Sequence, residues 1–291
     1  MNGILIVNKD PGMTSHDVVY ALRRLTGIKK IGHTGTLDPI ARGVLPMCIG
    51  KATRLASYIQ TDRKTYRAQA ILGKRTDSFD KTGQVIGEKA YTGSKEDLEA
   101  LLKTYIGPQM QEPPMYSAVK VQGKKLYEYA REGLEVKRKA RPIEIYDLFL
   151  MDYDQGTFSF EVTCSSGTYV RSLIDQIGLD LGTYAYMEEL QRTQVGAFSL
   201  KEAHRIEDLK ALDRDQIEDY LLPMERALVS LDRLDLEEGL EDWIKDGKAI
   251  PYPGLLPDKE YAVYSGGQFM GIGKMKARGS VDQLHVHKVL L

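Results

Sequence analysis

The sequence predicts an α+β protein, with a large mixed domain followed by a small β domain. Three observations point to this. Strand-like and helix-like spacings alternate over roughly the first 230 residues. Beyond about residue 232 the pattern changes to turns and short strands. The length of 291 residues also fits one large domain plus a small one.

Residues 3–7, GILIV, read as a short buried strand. Thr14 or Ser15 then caps a helix in which Val18, Val19, Leu22 and Leu25 share a face, and Gly27 closes it. Residues 31–50 read as a loop and a short strand, 51–59 as helical, and 66–72 as a strand. Ser94 and Asp97 form a capping-box pattern ahead of Leu98, Leu101 and Leu102. Residues 107–142 are rich in Pro, Gly, Lys and Arg, with a short helix near Tyr127. Strand-like runs at 143–152 and 157–164 flank Asp154-Gln155-Gly156, a hairpin turn. Residues 169–181 read as a helix, and the acidic stretch after 201 as one or two short ones. Residues 261–264 and 285–288 are strand-like.

Hydrophobic residues make up 42% and charged residues 28%, a globular profile. No apolar run approaches the ~20 residues of a membrane helix, and the N-terminus lacks the basic start of a signal peptide. A cytoplasmic location is therefore expected. Cys48 and Cys164 offer no disulfide or zinc spacing. His285 and His287 alternate on one strand face with no further Cys or His nearby, so no metal site is expected.

The formal net charge of -1 conceals an uneven distribution. Residues 1–75 hold 13 Lys/Arg against 4 Asp/Glu, and residues 119–141 hold 8 against 3. Residues 201–246 hold 7 against 15. Phosphate binding needs local rather than overall positive charge.

Residues 32–46, GHTGTLDPIARGVLP, are the most informative segment. Gly32 and Gly35 permit unusual backbone angles or a close ligand approach. Pro39 biases Asp38 towards an extended conformation. The segment thus presents one carboxylate on a stiff loop.

The same fifteen residues resemble the catalytic motif of the TruB-type tRNA pseudouridine-55 synthases. The resemblance extends in order from about residue 3 to about 230. KDPGMTS at 9–15, Lys64-Thr65-Tyr66, LGKRTDSFD at 72–80 and PPMYSAVK at 113–120 are similar to family segments. So are CSSGTYVR at 164–171 and Leu190-Gln191-Arg192-Thr193. Residues 246–250 and 261–273 bear a weaker likeness to the RNA-binding module called PUA.

The resemblance implies a mixed sheet cleft across its middle, with a catalytic domain at 1–231 and a PUA-like domain at 232–291. It implies conversion of a uridine in the tRNA T-arm to pseudouridine, without a cofactor or an obligatory protein partner, by a monomer. Asp38 would be the catalytic carboxylate. It could attack the base, attack the sugar or remove a sugar proton. Arg171 would grip Asp38 in two hydrogen bonds, and Tyr66 would stack on the uracil. Tyr169 would support the site, Leu190 would form an apolar wall, and Asp80 would bond the flipped base or a neighbour. The target base is extruded into the pocket, and His33 would fill the vacated space. Residues 113–141 would form a basic thumb, with Lys120, Lys124, Lys125, Arg138 and Arg141 on phosphates, joined in RNA binding by Lys9 and Lys64. Two other readings remain open at this stage: an RNA-binding or tRNA-folding chaperone, and the related guide-dependent class that modifies ribosomal RNA.

Overall fold

The structure is a computed structural model and describes residues 1–254, 256, 258–278 and 281–291. The chain begins with β1 (Gly3–Lys9), whose GILIV core is buried as its apolar run requires. Helix α1 (Ser15–Thr26) follows. Thr14 Oγ1 accepts from the Asp17 amide, and the Asp17 carboxylate accepts from the Thr14 amide, forming a full capping box. Gly27, with φ of 69°, ends the helix in the left-handed conformation that glycine adopts readily. Next come β2 (Ile31–His33), β3 (Arg42–Ile49), a 3-10 turn, α2 (Ala56–Gln60) and β4 (Lys64–Leu72).

Two short strands, β5 (Lys74–Thr76) and β6 (Val85–Glu88), form a hairpin. Helix α3 (Lys95–Thr104) starts at the expected Ser94–Asp97 capping box. Strand β7 (Gly107–Gln111) precedes a small hairpin, β8 (Lys120–Val121) with β9 (Lys124–Lys125), and then α4 (Leu126–Arg131). Positive φ at Gln122 and Gly123 makes that tight turn. Strands β10 (Arg141–Asp154) and β11 (Thr157–Cys164) pair across Gln155 and Gly156, again with φ positive at both. Then follow α5 (Val170–Asp180), β12 (Ala185–Val195), β13 (Phe198–Ser199), α6 (Ile206–Lys210) and α7 (Arg214–Glu218).

These strands make one mixed sheet in the order β1-β3-β12-β4-β11-β10-β7, with β2 beside β3 and β13 beside β12. β3 and β12 run parallel and the other pairs on this path are antiparallel. Phe158, Phe160, Val162, Ile174 and Ile177 fill the core between the sheet and α5. Complete burial of a side chain of this size contributes about 1.5–3 kcal/mol.

The C-terminal strands are β14 (Asp232–Leu236), β15 (Ile250–Pro251), β16 (Glu260–Ser265), β17 (Gln268–Arg278) and β18 (Val281–Val289), with α8 (Glu241–Lys245) after β14. They form a second sheet, β14-β16-β17-β18-β15, curled into a half-barrel. One apolar cluster joins Ile4, Ile6 and Val44 of the first sheet to Tyr264 and Ile272 of the second and to Leu290 just after it. Polar contacts reinforce the junction: Tyr58 Oη donates to Glu260 at 2.8 Å, and His287 Nε2 lies 3.1 Å from the same carboxylate. Among the described residues no helix is long and apolar enough to cross a membrane, and no three or more metal-ligating side chains cluster.

Strand β12 is not legible in the sequence, although it lies in the middle of the sheet. Its buried side chains are Ala185, Met187, Leu190, Arg192 and Val195, spaced two, three, two and three apart. Register shifts after Met187 and after Arg192 insert the extra residues. The resulting pattern has neither the strand nor the helix period.

Candidate active site

The loop between β2 and β3 carries Asp38 and is fixed from two sides. Ser15, at the start of α1, accepts from the Leu37 amide at 2.9 Å and donates to the Leu37 carbonyl at 3.2 Å. Pro39 O accepts from the Gly12 amide at 2.8 Å and from Lys9 Nζ at 3.3 Å. From the other side Arg192 donates to Gly35 O and Thr36 O. Leu37 and Ala41 are buried, so the loop has its own apolar anchor. The segment at 9–15 is therefore the scaffold on which the Asp38 loop rests.

Asp38 stands in a cleft of about 860 Å³ over β4 and β12. Tyr66, Tyr169, Leu190, Asp80 and Arg171 line the same cleft, so the structure brings together the site residues expected from the sequence. Arg171 Nε lies 2.9 Å from Asp38 Oδ2. The expected two-bond fork on Asp38 does not form, because the other guanidinium nitrogens are engaged elsewhere. Nη1 donates to Ser78 O at 3.2 Å and lies 3.5 Å from Asp80 Oδ2, and Nη2 donates to Tyr116 O at 3.0 Å. Arg171 is thus a buried hub at 5% side-chain exposure, while Asp38 at 33% remains open to the cleft.

Asp80 bonds its neighbours. Its Oδ1 accepts from Ser78 Oγ, Thr82 Oγ1 and the Thr82 amide, which ties the 76–84 turn against the site. Tyr66 is buried, and burial raises the pKa of its phenol while the nearby Arg192 charge lowers it. Burial likewise raises Tyr169. The Tyr169 main chain is held by the Gln111 amide, which accepts from Tyr169 N at 2.8 Å and donates to Tyr169 O at 3.1 Å. Leu190 is buried as an apolar wall. His33 ends β2, with its Nδ1 buried and without a hydrogen-bond partner among the described residues. Burial, and then the charges of His16 and Arg192, lower its pKa, which favours a neutral ring at neutral pH.

Several expectations need correction. Lys9 and Lys64 are not exposed surface cations, although Lys64 lines the cleft. Lys9 is fully buried and donates to the carbonyls of Asp10, Met13 and Pro39, because a buried ammonium must replace its lost water with acceptors. Lys64 is 7% exposed, with its ammonium on Gln60 O and Asp62 O. Burial is the largest cause lowering both to about 8. Lys124 is paired with Glu132, and Arg138 with Glu112 and Glu135, so neither cation is free of a carboxylate. Lys125 Nζ sits 3.4 Å from Tyr127 Oη. Lys120 and Arg141 are exposed. Gly32 and Gly35 do not have positive φ. The glycine of this segment that is required is Gly43, at φ 111°, where a Cβ would meet Arg192 O at 2.2 Å.

Arg192, of the Leu190-Gln191-Arg192-Thr193 segment, carries no evident role in the sequence, yet it is among the largest fully buried side chains. The signal available was its place two residues after Leu190, on the same strand face.

Residues 23–170 match the family model described as TruB family pseudouridylate synthase (N terminal domain). Residues 171–229 match the tRNA pseudouridylate synthase B C-terminal domain. The tRNA pseudouridine synthase B of Clostridium novyi (strain NT) is 42% identical over 296 residues, covering 100% of both chains. That of Geobacillus kaustophilus (strain HTA426) is 44% identical over 265 residues, covering 88% of this chain and 93% of its own. A solved H/ACA RNP bound to a substrate RNA containing 2'-deoxyuridine has the same fold, with a TM-score of 0.75 at 24% identity, covering 99% of this chain and 85% of that one.

Fold, site and similarity together define a pseudouridylate synthase, an isomerase acting on a uridine within RNA. The chain belongs to the TruB family.

Proposed function

We propose that this chain isomerises uridine 55 in the T-loop of tRNA to pseudouridine, with Asp38 as the catalytic carboxylate. The reaction breaks the bond from the sugar to uracil nitrogen 1, turns the base, and joins carbon 5 to the same sugar carbon. It needs no net redox change or energy input. The observation that carries this reading is the Asp38 carboxylate, seated against buried Arg171 in a cleft about 860 Å³ in volume. That space has the scale of a small-ligand site, and Tyr66, Tyr169 and Leu190 give it the flat and apolar walls an extruded base needs. Curated relatives named tRNA pseudouridine synthase B support tRNA as the substrate. His33, half-buried and biased by burial towards its neutral form, is assigned to the space the base leaves.

Residues 1–231 form the catalytic domain in this reading, and 232–291 a PUA-like RNA-binding domain. The protein acts as a cytoplasmic monomer without protein partners. The test is conversion of a T-arm stem-loop by the purified chain alone, without guide RNA or any second protein. Turnover is expected; absence of turnover until a guide or partner is added would transfer the chain to the guide-dependent class.

The thumb is supported by its topology. Gln111 and Arg141 are direct partners in β7 and β10, so the chain leaves the sheet and returns to it at one place. The exposed Lys120, Lys137, Lys139 and Arg141 form no ion pair among the described residues and are assigned to phosphates. Four such contacts give a log–log salt dependence of affinity of roughly -3. A salt titration of tRNA binding checks this, and a flat line would remove these residues from the RNA footprint.

Replacing residues 119–140 with a Gly/Ser bridge keeps Tyr116 and Ser117 beside the site. It leaves intact the four main apolar clusters, to which Leu126 does not belong. The expected result is tRNA affinity weakened by at least about tenfold, a small change in melting temperature, and a partly retained single-turnover rate at saturating RNA. Early melting or unchanged affinity would mark the segment as structural.

A further inference from the structure

Arg192 is a large permanent cation buried in the middle of the sheet. A buried charge usually requires a carboxylate partner. Arg192 has no carboxylate partner among the described residues, and the carbonyl oxygens that accept from it all belong to the β2–β3 loop or to β3. Nε donates to Val44 O at 2.7 Å, Nη1 to Thr36 O at 3.4 Å and Nη2 to Gly35 O at 3.2 Å. The fork therefore spans the loop two residues ahead of Asp38 and the strand that follows it. Its position is set by close contact of two strands. Gly43 and Arg192 are direct partners in the short parallel pairing of β3 and β12. A Cβ at Gly43 would collide with Arg192 O at 2.2 Å, so only glycine allows β12 to bring the guanidinium this near. On the opposite side Arg192 pairs across β12 and β4 with Tyr66, and its guanidinium acts on the Tyr66 hydroxyl by charge and hydrogen bonding.

We infer that Arg192 is a positioning residue for the isomerisation, fixing the Asp38 loop and the Tyr66 hydroxyl in one mutual geometry. This rests on the proposed reaction and deepens it. Lys9, donating to Pro39 O, holds the other end of the loop. Asp38 thus lies between two buried cations that bind the backbone and leave its carboxylate to Arg171 and the substrate. A planar guanidinium bridges three carbonyls on two chain segments; an ammonium on a shorter reach cannot contact all three. Loss of this bridge frees the loop, and displacement of a reacting group by about 1 Å costs on the order of 100-fold in rate. RNA affinity comes from phosphate contacts elsewhere and should remain.

The test uses Arg192→Lys, Arg192→Gln, Tyr66→Phe and the double variant Arg192→Lys/Tyr66→Phe in the full chain. Single-turnover rates at saturating T-arm RNA are expressed per folded molecule, alongside RNA affinity and melting temperature. For Arg192→Lys the expected rate loss is about 100-fold, with affinity within a fewfold of the parent. The double variant should be less impaired than the product of the single effects, since both groups serve one geometry. A folded lysine or glutamine variant with near-parental rate overturns the inference. So do losses that merely follow the fraction unfolded, or effects of Arg192→Lys and Tyr66→Phe that multiply independently. A parent enzyme that forms no pseudouridine refutes the proposed reaction itself, a separate outcome from failure of the Arg192 assignment.

Discussion

Asp38→Asn is expected to lose isomerase turnover by at least about four orders of magnitude, the scale of removing an essential catalytic side chain. The substitution changes little else. Asp38 is one-third exposed and contributes little to the core. Arg171 keeps Ser78 O, Tyr116 O and Asp80 when the Asp38 charge is removed. Asparagine has nearly the same shape and retains an acceptor oxygen. Melting temperature and tRNA affinity should therefore stay close to parental values, while pseudouridine formation under single-turnover conditions disappears. Turnover in a preparation shown free of parental enzyme would exclude Asp38 as the catalytic carboxylate.

Arg171→Lys carries the second-largest effect. The arginine addresses four groups from three nitrogens: Asp38 through Nε, Ser78 O and Asp80 through Nη1, and Tyr116 O through Nη2. Lysine offers one nitrogen at a single point. It leaves at least one buried acceptor unsatisfied, at a cost of about 1–3 kcal/mol, and it releases the carboxylate from its orientation. A rate loss of roughly 100-fold or more follows, with lower melting temperature and only a small change in RNA affinity. The measurement is a single-turnover time course with matched binding and melting curves. A lysine variant working at the parental rate would show that charge alone suffices.

Local signals proved legible where local chemistry sets the structure. Thr14 with Asp17 and Ser94 with Asp97 start helices because their side chains satisfy backbone amides. Gln155-Gly156 turns because both residues adopt positive φ. Asp38, Arg171, Tyr66, Tyr169 and Leu190 were legible through motifs, and the fold places them in one cleft. What remained hidden depends on the third dimension. Strand β12 hides behind two register shifts. Strand β7 is recognisable only by its pairing with β10, since Gly107-Pro108 and exposed Met110 resemble a loop. Lys9 and Lys64 look like surface cations in sequence, yet carbonyl oxygens meet them inside the protein. Arg192 was hidden for the same reason: nothing in a sequence reports that a cation is buried against a loop 156 residues away.

The decisive measurement is a single-nucleotide map of pseudouridine in an unmodified tRNA transcript incubated with the parent protein or with Asp38→Asn. The parent should produce one pseudouridine, at position 55 of the T-loop, and Asp38→Asn none despite binding the RNA equally well. No modification by the parent, modification elsewhere, or modification by the asparagine variant would contradict the assignment of this site and its substrate.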